Sequence, residues 1–142
     1  MNTHETDFYS WTQEQASLLK QGRFQDIDIE NLIEELQDMG RSERRELENR
    51  LAVLLAHLLK WQYQALHRGN SWEATIGEQR LQVHKGLREN PSLKPRISDI
   101  VQDAYDAARF QAMKETNLNL NTFPTECPWA VPQVLDNNFW PE

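Results

Sequence analysis

The sequence predicts an all-α protein, a bundle of about five helices with a long third helix at its centre. Apolar residues recur at spacings of three and four along five segments, and no segment alternates as a half-buried strand does. Residues that favour caps, turns or breaks stand between these segments. The 142 residues predict one domain over 1–142, with an N-terminal arm at 1–10 and an aromatic, proline-rich C-terminal clasp at 117–142 packed on the bundle.

The first helix is predicted over residues 12–21. Thr12 and Gln15 have the spacing of a capping box, in which each side chain bonds the backbone of the other residue. Gly22 follows the last turn, where a glycine in the left-handed conformation commonly ends a helix. These signals place both ends of the helix.

The second helix is predicted to start at a cap, Asp28, and to reach about Met39. Gly40 is expected to end or kink it. One face of this helix carries Ile29, Leu32, Ile33 and Leu36. The same region is strongly acidic, with Asp26, Asp28, Glu30, Glu34, Glu35 and Asp38.

The third and longest helix is predicted from Ser42 to about Leu66. Leu55 and Leu59 widen its apolar stripe beyond the narrow seam of a coiled coil, which is typical of a central helix. The stripe repeats at spacings of four and three through Leu47, Leu51, Leu54, Leu58, Trp61 and Ala65.

Two further helices and a tail complete the prediction. Ser71 is the expected cap of the fourth helix, which runs from Trp72 to about Glu89. The prolines of "NPSLKP" end that helix and begin the fifth. The tail has four prolines and a short helix expected at about 133–138. Its aromatic anchors are Phe123, Trp129, Phe139 and Trp140.

Composition and charge argue against several classes of function. A net charge of −7 disfavours the basic face that non-specific nucleic-acid binding requires. The single cysteine, Cys127, allows neither an internal disulfide nor a thiolate zinc site. The apolar run at 51–59 is shorter than the roughly 20 residues of a membrane span, and the N-terminus lacks a signal-peptide pattern. We therefore predict a cytoplasmic protein without a membrane partner.

Several sequence blocks in order resemble one family. The blocks are "DFYSWTQEQASLLKQGRFQDIDIENLIEELQDMGRSERREL", "LLAHLLKWQYQ", "SWEATIGEQR", "NPSLKP" and "FPTECPWAVPQVLDNNFWPE". They are similar to domain of unknown function 29, over about residues 7–142. The resemblance implies a mostly helical protein of a bacterial, notably cyanobacterial, family. It implies no activity and supplies no catalytic residues. The "AVPQ" stretch departs from the family's usual polar helix start and predicts a different beginning for the last helix.

Arg50 and His57 are the candidate catalytic residues. They lie seven residues apart, so in a helix they share one face about 10.5 Å apart along the axis. This spacing resembles the signature of HEPN-type ribonucleases, which implies acid–base work for His57 and phosphate stabilisation by Arg50 without a metal. The alternative is structural: Arg50 pairs with Glu46 one turn away, and His57 hydrogen-bonds an acidic residue of the second helix.

Paired acids suggest a second enzymatic alternative. Facing pairs can hold Mg²⁺, and all-α nucleotide pyrophosphohydrolases are similar in having such pairs. With 22 acidic residues, a solvated charged face explains the pairs as well. No Glu-x-x-His motif, phosphate loop or dinucleotide fingerprint is present, so no metal and no cofactor is predicted. The pairs are Glu35 and Asp38, Glu43 and Glu46, and Asp103 and Asp106.

The remaining candidate binding residues are cationic or aromatic. Arg41, Arg44 and Arg45 form a local cluster that either contacts an anionic partner or pairs with the acids of the second helix. Among five tryptophans, Trp61 lies beside the face of His57, and Trp140 is the best candidate for an interface.

The leading hypothesis is a non-catalytic protein-binding module, whose partner is another protein or a second copy in a homodimer. Such a module should expose an apolar patch of several hundred Å². A ribonuclease should instead expose His57 within a cationic cleft, and a pyrophosphohydrolase should bring two acid pairs together.

Overall fold

The computed structural model describes residues 3–142, and within that range the chain is helical and has no strand. The all-α prediction is therefore confirmed. Short 3-10 turns stand in several of the connections. None of the described helices is both long and apolar enough to cross a membrane. The α-helices are α1 (Thr3–Thr6), α2 (Phe8–Lys20), α3 (Ile29–Tyr63), α4 (Asn70–Glu89), α5 (Ile97–Thr116) and α6 (Val131–Leu135).

The chain divides into two compact units. The first, unit 1, is Met1–Ser42 and the second, unit 2, is Glu43–Glu142. Helix α3 contributes residues to both units. The prediction of one domain over 1–142 stays a prediction, and each unit is described by itself.

In unit 1 the described part of the predicted arm at 1–10 is helical except at Asp7, and α2 begins earlier than predicted. Asp7 is the cap, since the backbone N–H of Ser10 donates to its Oδ1 at 3.1 Å. The capping box at Thr12 is wrong because Thr12 lies inside the helix, where its hydroxyl donates to the Tyr9 carbonyl at 2.7 Å. The rest of the arm, residues 1 and 2, lies outside the described residues.

Two of the predicted cap residues in unit 1 are confirmed. Gly22 has a φ of 70°, the left-handed conformation that glycine adopts without penalty after a helix. Asp28 caps α3 by accepting from the Asn31 backbone N–H at 3.4 Å. Asp28 also accepts from the Trp11 indole at 3.0 Å and thereby joins α2 to α3. Its hydrogen bond from the Asn31 side chain lowers the pKa of its carboxyl.

The predicted break at Gly40 is wrong. The second and third predicted helices are one helix, α3, of 35 residues. A glycine inside a helix costs only about 1 kcal/mol relative to alanine, and no proline follows to prevent continuation. Arg41 also pairs with Asp38 one turn earlier, across the predicted break.

Unit 2 is organised around the second half of α3. Its leucine stripe is buried against residues of α4, α5 and the C-terminal segment. The prediction that this stripe is central to a bundle is confirmed within unit 2. The buried members include Leu51, Leu54, Leu55, Leu58, Leu59, Ile76, Val83, Ile100, Tyr105 and Phe123.

Some helix ends in unit 2 differ from the predicted ones. Helix α3 ends at Tyr63, and α4 begins at Asn70 after an extended Gly69, not after a Ser71 cap. The last helix is Val131–Leu135 instead of 133–138. Pro132 suits its first turn, where a backbone N–H has no helical partner. Gln133 Oε1 accepts from the Ala130 backbone N–H at 2.9 Å and fixes that start.

The C-terminal segment is tied to α5 by side chains that donate to its carbonyls. The Tyr105 hydroxyl donates to Pro124 O at 2.6 Å. Arg109 donates to Leu120 O and Phe123 O, both at 3.1 Å. These bonds satisfy carbonyls that lie in no helix, so irregular backbone can pack on the helices.

Gly40→Ala should raise the free energy of unfolding by about 1 kcal/mol, because alanine favours a continuous helix and no atom outside the helix backbone lies within 4 Å of the added carbon. Gly22→Ala should lower it by about 1–2 kcal/mol, because the left-handed backbone strains a side chain. Chemical denaturation followed by circular dichroism measures both. Destabilisation by Gly40→Ala would contradict the uninterrupted α3.

Candidate functional site

Arg50 lies in a polar groove of unit 2, between α3 and α4. The groove measures about 160 Å³ and contains charges of both signs. Arg50 donates to Glu46 at 3.1 Å, so the predicted pairing of these two residues is confirmed. The other charged residues that line the groove are Glu43, Lys85 and Glu89. Three carboxylates beside two cations leave no excess positive charge for a phosphate.

His57 is half-buried on α3 and makes a bond within its own helix. Its Nδ1 lies 2.8 Å from the carbonyl of Val53, one turn earlier. The expected partner, an acidic residue of the second predicted helix, is wrong because this nearer carbonyl occupies the ring nitrogen. Burial lowers the pKa of His57 below its ordinary value, and Lys60 lowers it further. The Val53 bond and Glu115 oppose that shift in part.

Arg50 and His57 have separate partners on α3, Glu46 for Arg50 and Val53 for His57. His57 is not among the residues that line the groove of Arg50. A phosphate that is to be cleaved needs both groups within hydrogen-bonding reach of its oxygens and leaving group. Catalysis by the pair stays a prediction, and no contact within residues 3–142 favours it.

A buried lysine that the sequence analysis missed lies near His57. Lys60 is only 7% exposed, although it interrupts the apolar run of α3. Its Nζ donates to Glu115 at 3.0 Å and lies 5.0 Å from the centre of the Trp72 ring. The signal in the sequence was a single cation inside a wide leucine stripe. The environment of His57 therefore contains an ion pair between α3 and α5.

The predicted acid pairs are engaged by cations or amides and do not converge. Glu35 lies 2.7 Å from His4, Glu46 pairs with Arg50, and Asp103 lies 3.6 Å from Arg44. Asp106 accepts from Gln102 at 3.1 Å. Across residues 3–142, no three His, Cys, Asp or Glu side chains are grouped closely enough to hold a metal ion.

The arginine cluster has three different environments. Arg41 pairs with Asp38 of the same helix, in agreement with the predicted pairing to acids of this region. Arg44 instead lies beside Asp103 of α5, at 3.6 Å. Arg45 is exposed. Pairs this open to solvent contribute little stability, about 0–1 kcal/mol each.

Trp61 and Trp140 contact each other within unit 2. Their ring centres lie 4.6 Å apart, and both side chains are half-buried. Arg68 lies over Trp61, with 5.1 Å between its guanidinium and the ring centre. These contacts cover part of each ring, and another protein cannot contact the covered part. Their predicted role in binding stays a prediction.

Arg80 is the other buried cation that the sequence analysis missed. It is 1% exposed and donates to the carbonyls of Val134 and Phe139, each at 2.9 Å. Its guanidinium also lies 5.6 Å from the centre of the Trp140 ring. Burial lowers its pKa from the ordinary value, which is so high that the side chain stays charged. Arg80 thus fixes the C-terminal segment to α4 at Val134 and Phe139.

The largest group of exposed apolar side chains lies in unit 1. Leu19, Leu36 and Met39 of this group line an apolar groove between α2 and the first part of α3, and Ile29 and Ile33 continue the stripe of Leu36 along α3. We call this surface the α2–α3 face. Its exposed members are Phe8 at 49%, Leu19 at 45%, Ile29 at 55%, Ile33 at 50%, Leu36 at 64% and Met39 at 64%. The spacing in the sequence predicts the stripe on α3 but does not indicate that the stripe is exposed.

Comparison with known families establishes which family the chain belongs to. The family model named Domain of unknown function DUF29 matches residues 3–140, which is nearly the whole chain. The chain belongs to the DUF29 family. Comparison with curated proteins and with solved structures gives no match.

Membership of DUF29 confirms the resemblance found in the sequence and agrees with the helical fold. The family description names no reaction, ligand or partner, so no functional residue is carried over from it. Only the surfaces and contacts of this DUF29 member itself indicate what it binds.

The lowered pKa of His57 predicts a specific pH dependence of stability. Because the folded protein holds His57 neutral below its unfolded pKa of about 6.5, the unfolded chain binds more protons as the pH falls. Stability should fall from about pH 6.5 downward until His57 is protonated in the folded state as well. His57→Gln should remove part of that loss in urea titrations at pH 7 and pH 5.

The control for that comparison is His67→Gln, in a short connection outside the α-helices. Equal loss of the pH dependence in both variants would contradict its assignment to the buried His57 ring. An NMR titration in which the His57 ring has a pKa at or above 6.5 would contradict the effect of burial.

Arg80→Met should lower the free energy of unfolding by about 2–4 kcal/mol, because two carbonyls lose a charged, buried donor. Arg88→Met, on the exposed side of the same helix, should change it by less than about 0.5 kcal/mol. Urea denaturation measures both variants. Equal stability of the two would show that Arg80 does not fix the C-terminal segment.

Proposed function

We propose that this protein is a small cytoplasmic protein-binding module without catalysis of its own. The α2–α3 face is its binding site, and a helical segment of a different protein is the occupant. The proposal rests on one observation, the concentration of exposed apolar side chains in unit 1.

The exposure of the apolar residues on α3 is unusual because their spacing is that of residues on the buried face of a helix. Ile29, Ile33 and Leu36 lie at spacings of four and three on α3 and would normally be covered. Each exposes half or more of its surface. Among residues 3–42, only Trp11 and Gln15 are buried. Unit 1 therefore carries an apolar face whose natural complement is another apolar surface.

The shape of the site favours a helix as the occupant. Two helices, α2 and the first part of α3, form the walls of a groove of about 220 Å³. Along α3 the apolar residues extend from Ile29 to Met39, about 15 Å, or nearly three helical turns. An amphipathic helix with apolar residues at matching spacings covers such a groove by the same packing that joins helices in a core.

Charge favours a different protein over a second copy. The sequence of unit 1 contains nine acidic and three basic residues. A symmetric dimer would bring two identical faces together, since each copy contributes the same patch. The acidic surroundings of both faces would then repel. A partner of another sequence avoids that cost.

The polar groove of Arg50 supports the enzymatic alternatives less well. Its carboxylates outnumber its cations, and His57 lies elsewhere on α3. The acid pairs are neutralised separately. The apolar face, by contrast, needs no change of conformation to act.

A defined peptide tests the docking site. We would label an 18-residue amphipathic helix of leucine and glutamine and measure its binding by fluorescence anisotropy. Ile33→Gln together with Leu36→Gln should weaken binding about tenfold or more, because two apolar contacts are lost. The unfolding free energy should hardly change, since both side chains are already exposed.

The matched control is Leu66→Gln together with Leu81→Gln, two exposed leucines outside the α2–α3 face. This variant should bind as the unchanged protein does. Equal weakening by both double variants, or no binding at all, would refute the site. Sedimentation velocity adds the second test: a dimer that Ile33→Gln and Leu36→Gln dissociate would make a second copy the occupant.

A further inference from the structure

The two edges of the α2–α3 face differ in charge. On α3, each residue is rotated about 100° from the one before it. Glu30 follows Ile29 and Glu34 follows Ile33, so both glutamates stand on the flank just beyond these exposed isoleucines. Both are exposed, and neither has an ion-pair partner among residues 3–142. Arg41 follows on the same flank and pairs with Asp38, so it does not neutralise the two glutamates. The edge at Glu30 and Glu34 is therefore acidic.

The edge on α2 has a different character. The flank beyond the groove on α2 carries the residues that directly follow Phe8, Thr12 and Leu19. These are Tyr9, Gln13 and Lys20. They are two uncharged side chains and one cation, and all three are exposed. Glu35 lines the groove itself but lies 2.7 Å from His4. An occupant of the groove therefore meets unpaired carboxylates at the α3 edge and a cation at the α2 edge.

We infer that the partner segment is an amphipathic helix with lysine or arginine along the flank that faces Glu30 and Glu34. The inference rests on the proposed docking function and specifies the partner of that same site. The cations of the partner helix would lie beside the carboxylates of Glu30 and Glu34 while the apolar stripe of that helix fills the groove. Complementary charge of this kind selects partners and fixes the orientation of docking.

The same charges argue against two other occupants. A second copy would bring acidic residues to an acidic edge. An anionic membrane surface would be repelled by the glutamates, because peripheral binding to such lipids relies on basic residues. A basic helix is the occupant for which both the apolar stripe and the acidic edge are favourable.

The experiment compares two labelled 18-residue peptides with the same leucine stripe. One carries lysines along a single flank, and the other carries glutamines at those positions. The intact protein should bind the lysine peptide about fivefold more tightly at low salt, and 0.5 M NaCl should reduce the difference because salt screens exposed pairs.

Two double variants test whether Glu30 and Glu34 cause the tighter binding of the lysine peptide. Glu30→Gln together with Glu34→Gln should bring the two affinities within about twofold of each other, while binding of the glutamine peptide stays unchanged. Glu73→Gln together with Glu78→Gln, on exposed positions of α4, removes the same charge elsewhere and should retain the preference. Circular dichroism confirms that each variant is folded.

The outcomes separate the two proposals. Equal affinity of the intact protein for both peptides would overturn the inference about charge and leave the docking function standing. A preference that survives Glu30→Gln and Glu34→Gln, or that Glu73→Gln and Glu78→Gln abolish, would also overturn it. Absence of binding to either peptide would overturn the docking function as well.

Discussion

Burial of the leucine stripe of α3 is the constraint on which unit 2 depends. Leu51, Leu54 and Leu58 are fully buried. Burying one leucine contributes roughly 1.5–3 kcal/mol, so the stripe is a large part of a stability that is small in total. Helices α4 and α5 and the C-terminal segment provide the surfaces that cover it. Their positions follow from the need to exclude water from one helix.

The buried cations show how polar groups are accommodated around that stripe. Lys60 and Arg80 lose water on burial, and each recovers interactions from specific partners: Glu115 and Trp72 for Lys60, backbone carbonyls and Trp140 for Arg80. A buried charge without such partners would cost several kcal/mol. These contacts also order irregular chain, because carbonyls outside helices need donors.

Units 1 and 2 have similar apolar spacing on α3, but the apolar residues are exposed in unit 1 and buried in unit 2. The stripe of α3 continues through both units, but its N-terminal part is half-exposed whereas its C-terminal part is covered. The internal contacts of unit 1 include ring contacts around the buried Trp11 and polar links such as Trp11 to Asp28 and Asp28 to Gln15. The polar links hold α2 against α3 and leave the α2–α3 face open. An open apolar face with one acidic edge is consistent with the proposed role in binding.

The sequence by itself determined the helical class, the cap at Asp28, the turn at Gly22 and the apolar stripes, because caps and periodicity are local properties of the chain. It also determined the family, through blocks that extend along nearly all of the chain. Local signals misplaced the break at Gly40, since one glycine costs less than a continuous helix gains. Only the tertiary structure decided which stripe is covered and which is open. It also decided where Lys60 and Arg80 find partners, because those partners are distant in sequence.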